Sequence, residues 1–174
     1  MLLSTTEGYS ISDIVTIGQY QNDLIAEIKK HQWRWFLTLN TQTYDLPKAY
    51  DYTQKYLRSV GGLSKGKWDY AFAICQHKSS YNRTGITPYH IHGFLSASTH
   101  LSGKTLTSAW KTKSYLPTRT PSGNKLYTKS LIGRTNIKRY RTEMGGIEYS
   151  INQMALGVLF TNVPSIQRIQ EKHR

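Results

Sequence analysis

Three short runs dense in aromatic and branched residues constrain the fold of this chain most: Trp33-Arg34-Trp35-Phe36-Leu37-Thr38-Leu39, Trp68 to Gln76, and Tyr89 to Ala97. Each has the composition of a β-strand, and segments of helical period lie around them. Residues 13–31 carry Ile17, Tyr20, Leu24, Ile25 and Ile28 on one stripe, which predicts an amphipathic helix. Pro47 suits the first turn of a second helix, running to about Ser59 and stopping at Gly61-Gly62. A polar turn region with Asn82, Gly85 and Pro88 joins the second and third runs, so these are expected to pair antiparallel. Residues 98–133 are rich in Ser, Thr, Gly and Lys and predict a short helix near Leu106–Trp110, then a mobile basic loop. Residues 134–141 predict an edge strand, and residues 145–157 a helix ending at Gly157. This element order is that of an α+β split β-α-β sandwich, a central antiparallel sheet with helices on one face.

At 174 residues one domain is expected. Lys and Arg number 23 against 10 Asp and Glu, a net charge of +13, which points to a polyanionic partner such as nucleic acid. Aromatic content of 12% argues against intrinsic disorder. No apolar run is long enough for a membrane span, and the first residues lack the features of a signal peptide. The expectation is a soluble, cytoplasmic protein with no membrane partner. The single cysteine, Cys75, excludes an internal disulfide framework and a multi-cysteine zinc site.

The sharpest local signal is Pro88-Tyr89-His90-Ile91-His92-Gly93-Phe94. Residues two apart on a strand share a face, so His90 and His92 present two imidazoles side by side while Ile91 enters the core. Paired neutral imidazoles ligate divalent ions; two histidines with no metal are the plain alternative. Further on, Gly145-Gly146-Ile147-Glu148-Tyr149-Ser150-Ile151-Asn152-Gln153-Met154 would put Tyr149, Asn152 and Gln153 on one helical face. A phenol is a weak nucleophile at neutral pH and becomes useful beside a metal that polarises a phosphate. With 13 tyrosines in the chain, packing or base stacking is the competing role for Tyr149.

Together these pieces resemble the HUH (His-hydrophobe-His) endonucleases, and among them the small single-tyrosine initiators of rolling-circle replication. Phe36-Leu37-Thr38-Leu39-Asn40 resembles the family's first motif, Tyr89 to Leu95 its metal-binding motif, and Glu148-Tyr149-Ser150-Ile151-Asn152 its tyrosine motif, in the family's order. The resemblance implies an HUH/ferredoxin-like (RRM-like) domain over 33–160; the flanks read as a leader helix at 1–32 and a basic segment at 161–174, a tail or a docking helix. It also implies a divalent ion, Mn or Mg, on His90 and His92, with Gln153 or Gln76 as third ligand. Tyr149 would be the nucleophile, with Tyr140 as the neighbour able to take over, and single-stranded or hairpin origin DNA the substrate. Where many such initiators carry a lysine three residues after the tyrosine, this chain has Asn152; Tyr149 and Gln153 instead reproduce the Tyr-x-x-x-Gln pattern of single-tyrosine HUH transposases.

Lys111, Lys113, Arg119, Lys125, Arg134, Lys138, Arg139 and Arg141 are the candidate phosphate contacts, and Trp33, Trp35 or Trp110 the candidate base-stacking residues. Gly103-Lys104-Thr105 echoes a phosphate-binding loop, but Ser98 stands where that motif needs glycine; Gly61 to Lys67 fails at Trp68. Unwinding would therefore come from a separate or host helicase, and the gene from a plasmid or virus. A transposase with the same chemistry and a non-catalytic nucleic-acid-binding module remain the alternatives.

Overall fold

The computed structural model describes residues 11–64, 66–97, 101–111, 117–119, 125–127 and 135–173, without the side chains of 11–16, 111, 117–119, 125–127 and 156. Its centre is a five-stranded sheet built from β1 (Trp35–Asn40), β2 (Trp68–Cys75), β3 (His90–Ala97), β6 (Thr135–Arg139) and β7 (Met154–Thr161), in the order β6-β1-β3-β2-β7. Every neighbouring pair is antiparallel, and β2 and β3 pair as expected, with Cys75 opposite His90 and Ala73 opposite His92. Separately, β4 (Pro117–Arg119) and β5 (Lys125–Tyr127) pair antiparallel. Among the described residues, five α-helices complete the α+β fold: α1 (Ile11–Lys29), α2 (Leu46–Leu63), α3 (Gly103–Lys111), α4 (Gly146–Asn152) and α5 (Pro164–Lys172). Among the described residues no helix is long and apolar enough to cross a membrane.

The strand alternation sorts side chains into two cores, one on each sheet face. Trp35, Leu37, Leu39, Phe72, Ile74, Ile91 and Leu95 meet Ala49, Tyr56, Leu57 and Val60 of α2 and Leu106 and Trp110 of α3. On the opposite face, Ala71, Ala73, Cys75 and Phe94 meet Leu24 and Ile28 of α1, Ile147 and Ile151 of α4, and Ile166 of α5. Helices therefore cover both faces, and the expectation of one covered face is corrected. Both sides of β2 and β3 are apolar, and each must bury its surface against a layer of its own.

Asp45 caps α2 by accepting from the backbone N–H of Lys48 at 3.3 Å, and a proline sits in its first turn as predicted. The helix does not stop at Gly61-Gly62 but continues to Leu63. Gly61 is there for clearance: a Cβ at that position would stand 3.2 Å from Cζ2 of Trp68. Past Gly145, α4 ends at Asn152, and residues 154–161 pair with β2 as a strand, so the helix expected to reach Gly157 is half its predicted length. Ile147, Ile151 and Met154 keep helical spacing across that boundary, which is why periodicity alone overran it.

The C-terminal segment, expected as a tail or a docking helix, forms the helix α5, which packs on α1. Ile166 is fully buried, His173 Nε2 lies 3.0 Å from Asp23 Oδ2, and Gln170 Nε2 donates to the Leu159 carbonyl at 2.9 Å. Leader and tail thus close over the same sheet face.

Candidate active site

His90 and His92 sit at the start of the central strand, on the face shared with Phe94. Their cross-strand neighbours are small: Cys75 and Ala73 on β2, and Asn40 and Thr38 on β1. That leaves room for two imidazoles to stand side by side, 4.9 Å between ring centroids and nearly perpendicular. Ile91 points the other way and is fully buried, as the alternation predicted. Gly93 also faces that other side, where a Cβ would lie 2.5 Å from the Phe72 ring, so the glycine is a packing requirement.

Each imidazole is held in a fixed orientation. His90 Nδ1 lies 3.3 Å from the Pro88 carbonyl, which can only accept; Nδ1 therefore carries the proton and Nε2 a lone pair. His92 stacks on Phe36 at 5.7 Å and 13°, and its Nδ1 is 3.2 Å from Thr38 Oγ1. Burial favours the neutral form of both rings. It lowers the pKa of His90, and it takes that of His92 down to about 3 with help from the charges of His90 and His77. Neutral imidazole is the form that binds metals.

Four buried side-chain atoms here have no hydrogen-bond partner: His77 Nδ1, His90 Nε2, His92 Nε2 and Gln153 Oε1. Gln153, which caps the end of α4, approaches His90 closely enough to favour its protonated form, yet both atoms remain unpaired. Buried polar atoms without partners are costly, and lone pairs converging in one place suit a cation. Among the described residues no group of three His, Cys, Asp or Glu is arranged to hold a metal ion. The sequence-derived candidates among the unpartnered atoms are two imidazole nitrogens, of His90 and His92, and one amide oxygen, of Gln153.

Gln76, the other candidate ligand, has its amide nitrogen engaged elsewhere. Its Nε2 donates to the Thr87 carbonyl at 3.0 Å and its backbone N–H to the Gln153 carbonyl at 3.2 Å, so it braces the site from behind. His77, one residue on, turns its ring to His90 at 5.2 Å. Sequence patterning gave it no role.

Tyr149 stands at the rim of an open pocket of about 490 Å³ lined also by Thr38, Asn40, Gln42, His77, Thr87, Pro88, His90 and His92. Its ring meets His92 edge-on at 5.2 Å and is 48% exposed, so a substrate can reach the hydroxyl. The short helix that carries it is anchored on several sides. Lys29 of α1 pairs with Glu148, Gln21 Nε2 donates to the Ile151 carbonyl at 3.3 Å, and Cys75 Sγ donates to the Ser150 carbonyl at 3.3 Å. Tyr140 is elsewhere, edge-on to Phe94 at 5.8 Å, with its phenol pushed up by burial and by Glu148.

The expected base-stacking residues are not free to stack. Trp33, Trp35 and Trp110 are all buried, Trp33 donating to the Ile28 carbonyl at 2.8 Å and Trp110 packing edge-on to Tyr56 at 5.5 Å. Of the basic residues, Lys138, Arg139 and Arg141 are exposed along and just after the edge strand β6, with the Arg139 guanidinium 4.4 Å above the Trp35 ring. Lys113 and Arg134 lie outside the described residues, as do the side chains of Lys111, Arg119 and Lys125. Gly103-Lys104-Thr105 opens α3 behind Ser102, whose hydroxyl accepts from the Thr105 N–H at 3.0 Å, an ordinary helix start.

Compared with known proteins, the chain matches no protein-family model, no curated protein and no solved structure.

Proposed function

We propose that this chain is a metal-dependent HUH-type nuclease, a rolling-circle replication initiator that nicks and rejoins single-stranded or hairpin DNA through a 5′-phosphotyrosine. The observation that carries the reading is the exposed Tyr149 ring packed on His92, beside the unpartnered His90 Nε2, His92 Nε2 and Gln153 Oε1. His90, His92 and Gln153 would hold a divalent ion, Mn or Mg, and Gln76 would keep its bracing role. A bound ion supplies polarisation of the scissile phosphate and stabilisation of the departing oxygen.

Tyr149 attacks phosphorus through its phenol oxygen. A Tyr149 O–P bond forms and the P–O3′ bond breaks; the phenol proton passes to solvent, and the departing 3′ oxygen takes a proton from solvent to become a hydroxyl. The phosphodiester energy is kept in the new bond, so attack by a 3′-hydroxyl reverses the step without ATP. The fixed α4 spends no free energy on placing the nucleophile at the moment of reaction. Lys138, Arg139 and Arg141 would follow the DNA backbone. Unwinding falls to a separate helicase. The setting we propose is the cytoplasm of a cell carrying the plasmid or virus that encodes the chain.

The test is denaturing electrophoresis of the protein after incubation with Mn²⁺ and labelled single-stranded origin DNA. A covalent adduct is expected, absent in Tyr149→Phe and in the His90→Ala, His92→Ala double variant, while DNA binding is retained. An adduct mapped to Tyr140, or undiminished in Tyr149→Phe, overturns the reading; lack of any adduct favours a non-catalytic binding module. The Tyr149-x-x-x-Gln153 spacing, with Gln153 Oε1 unpaired near His90, favours a second reading with the same chemistry, a single-tyrosine transposase. Cleavage of hairpin transposon ends in place of a replication origin would select it.

A further inference from the structure

Gln42 is the one residue other than glycine at positive φ among the described residues, with φ of 56°. Glutamine has no intrinsic reason to adopt that left-handed conformation, and such strain persists only where the surroundings impose it. The surroundings do so here. Thr41, fully buried, gives both its N–H (3.2 Å) and its hydroxyl (2.5 Å) to the Tyr89 carbonyl, and the Tyr89 N–H donates back to the Thr43 carbonyl at 2.8 Å. The turn is thus riveted on both sides of Gln42 to the residue just before His90.

The strain brings no internal gain for the side chain. Gln42 is exposed, lines the pocket beside Tyr149, and makes no hydrogen bond to any described residue. A carboxamide offers one donor and one acceptor in a plane, the pattern that recognises a base edge bidentately. Among the four bases, adenine alone offers an adjacent donor and acceptor on both its Watson–Crick and its Hoogsteen edge. Unpaired bases expose both edges, and the pocket, about 490 Å³, has room for a purine.

We infer that the pocket beside Tyr149 admits an unpaired adenine and that Gln42 is the specificity residue that reads its edge. The inference rests on the nicking reading for why single-stranded DNA comes to this pocket, and it assigns no part in bond breaking to Gln42.

The test compares the full chain with its Gln42→Gly variant, by fluorescence anisotropy with labelled d(CA)6 and d(CT)6 in EDTA, where no cleavage proceeds. Glycine adopts positive φ without strain, so the variant is expected to melt at the same temperature or higher. The parent is expected to prefer d(CA)6 about tenfold, the discrimination usual for one bidentate contact, and the variant to lose that preference while keeping its affinity for d(CT)6. A parent with no preference, or a variant that keeps it, overturns the inference. Adduct formation with Mn²⁺ is scored separately. If no adduct forms but the Gln42-dependent preference is present, nicking falls and the adenine pocket stands; if an adduct forms without that preference, the adenine pocket falls and nicking stands.

Discussion

His92 is fixed in a neutral state, and this makes the fold sensitive to acid in a calculable way. Its imidazole is 4% exposed, flanked by Phe36 and Tyr149, and titrates at about 3 because of burial and the nearby His90 and His77 charges. In an unfolded chain the same ring titrates at about 6.5. Above that value both states are neutral and His92 has no effect on stability. As pH falls below it, the unfolded state takes up a proton that the folded state refuses, so stability declines until the pH nears the folded value. Integrated from pH 8 to pH 5, the loss is about 2 kcal/mol from this one ring. His90, lowered for the same reason, adds to it. Glu27 and Glu148, held below the ordinary carboxylate range by Lys30 and Lys29, lose their contribution only as pH falls further, through carboxylate values, so the window from pH 8 to pH 5 isolates the imidazoles. The assay is urea unfolding followed by tryptophan fluorescence in EDTA at both pH values. With a slope of about 2 kcal/mol per molar urea, the midpoint is expected to fall by about 1 M from His92 alone. A His92→Gln variant starts less stable and is expected to lose about 2 kcal/mol less over the same interval. Equal losses in parent and variant would refute the claim that burial keeps this ring neutral.

Three further outcomes follow from the same geometry. Mn²⁺ at a hundred times its dissociation constant should stabilise the fold by about 2.7 kcal/mol; Gln153→Ala should weaken the effect and Gln76→Ala should not, and the reverse pattern would exchange the two glutamines' roles. Gly93→Ala should destabilise by about 1–3 kcal/mol in chemical denaturation, with recovery in a Phe72→Leu background, because the new methyl meets a fully buried ring; unchanged stability would contradict the packing reason for that glycine. Cys75 is fully buried with its thiol pushed up to about 12, so Ellman's reagent at pH 8 should label it only after urea unfolding, and rapid labelling of the native protein would count against that burial.

Local chemistry determined much of this protein. The alternation in Tyr89 to Leu95 set the two histidines on one face and Ile91 on the other, because a strand's side-chain period of two is a property of its backbone. Pro47 marked the start of α2, and the branched and aromatic runs marked the central strands, for equally local reasons. What local chemistry could not decide depended on partners distant in sequence. Gly61-Gly62 read as a stop, but the helix runs on to Leu63, and Gly61 serves the close approach of Trp68. Met154 continued the helical spacing of Ile147 and Ile151, but the open edge of β2 drew residues 154–161 into the sheet, where backbone hydrogen bonds outweigh propensity. The tryptophans have a composition that suits base stacking and burial equally, and only the two helical layers assigned them to the core. Gln76 and Gln153 were equivalent as amide donors until Thr87 engaged the first and left the second unpaired. Gln42 had no signature at all in the sequence. Its strained conformation comes from the hydrogen bonds that tie Thr41 to Tyr89, 48 residues away, and a contact of that range exists only once the chain has folded.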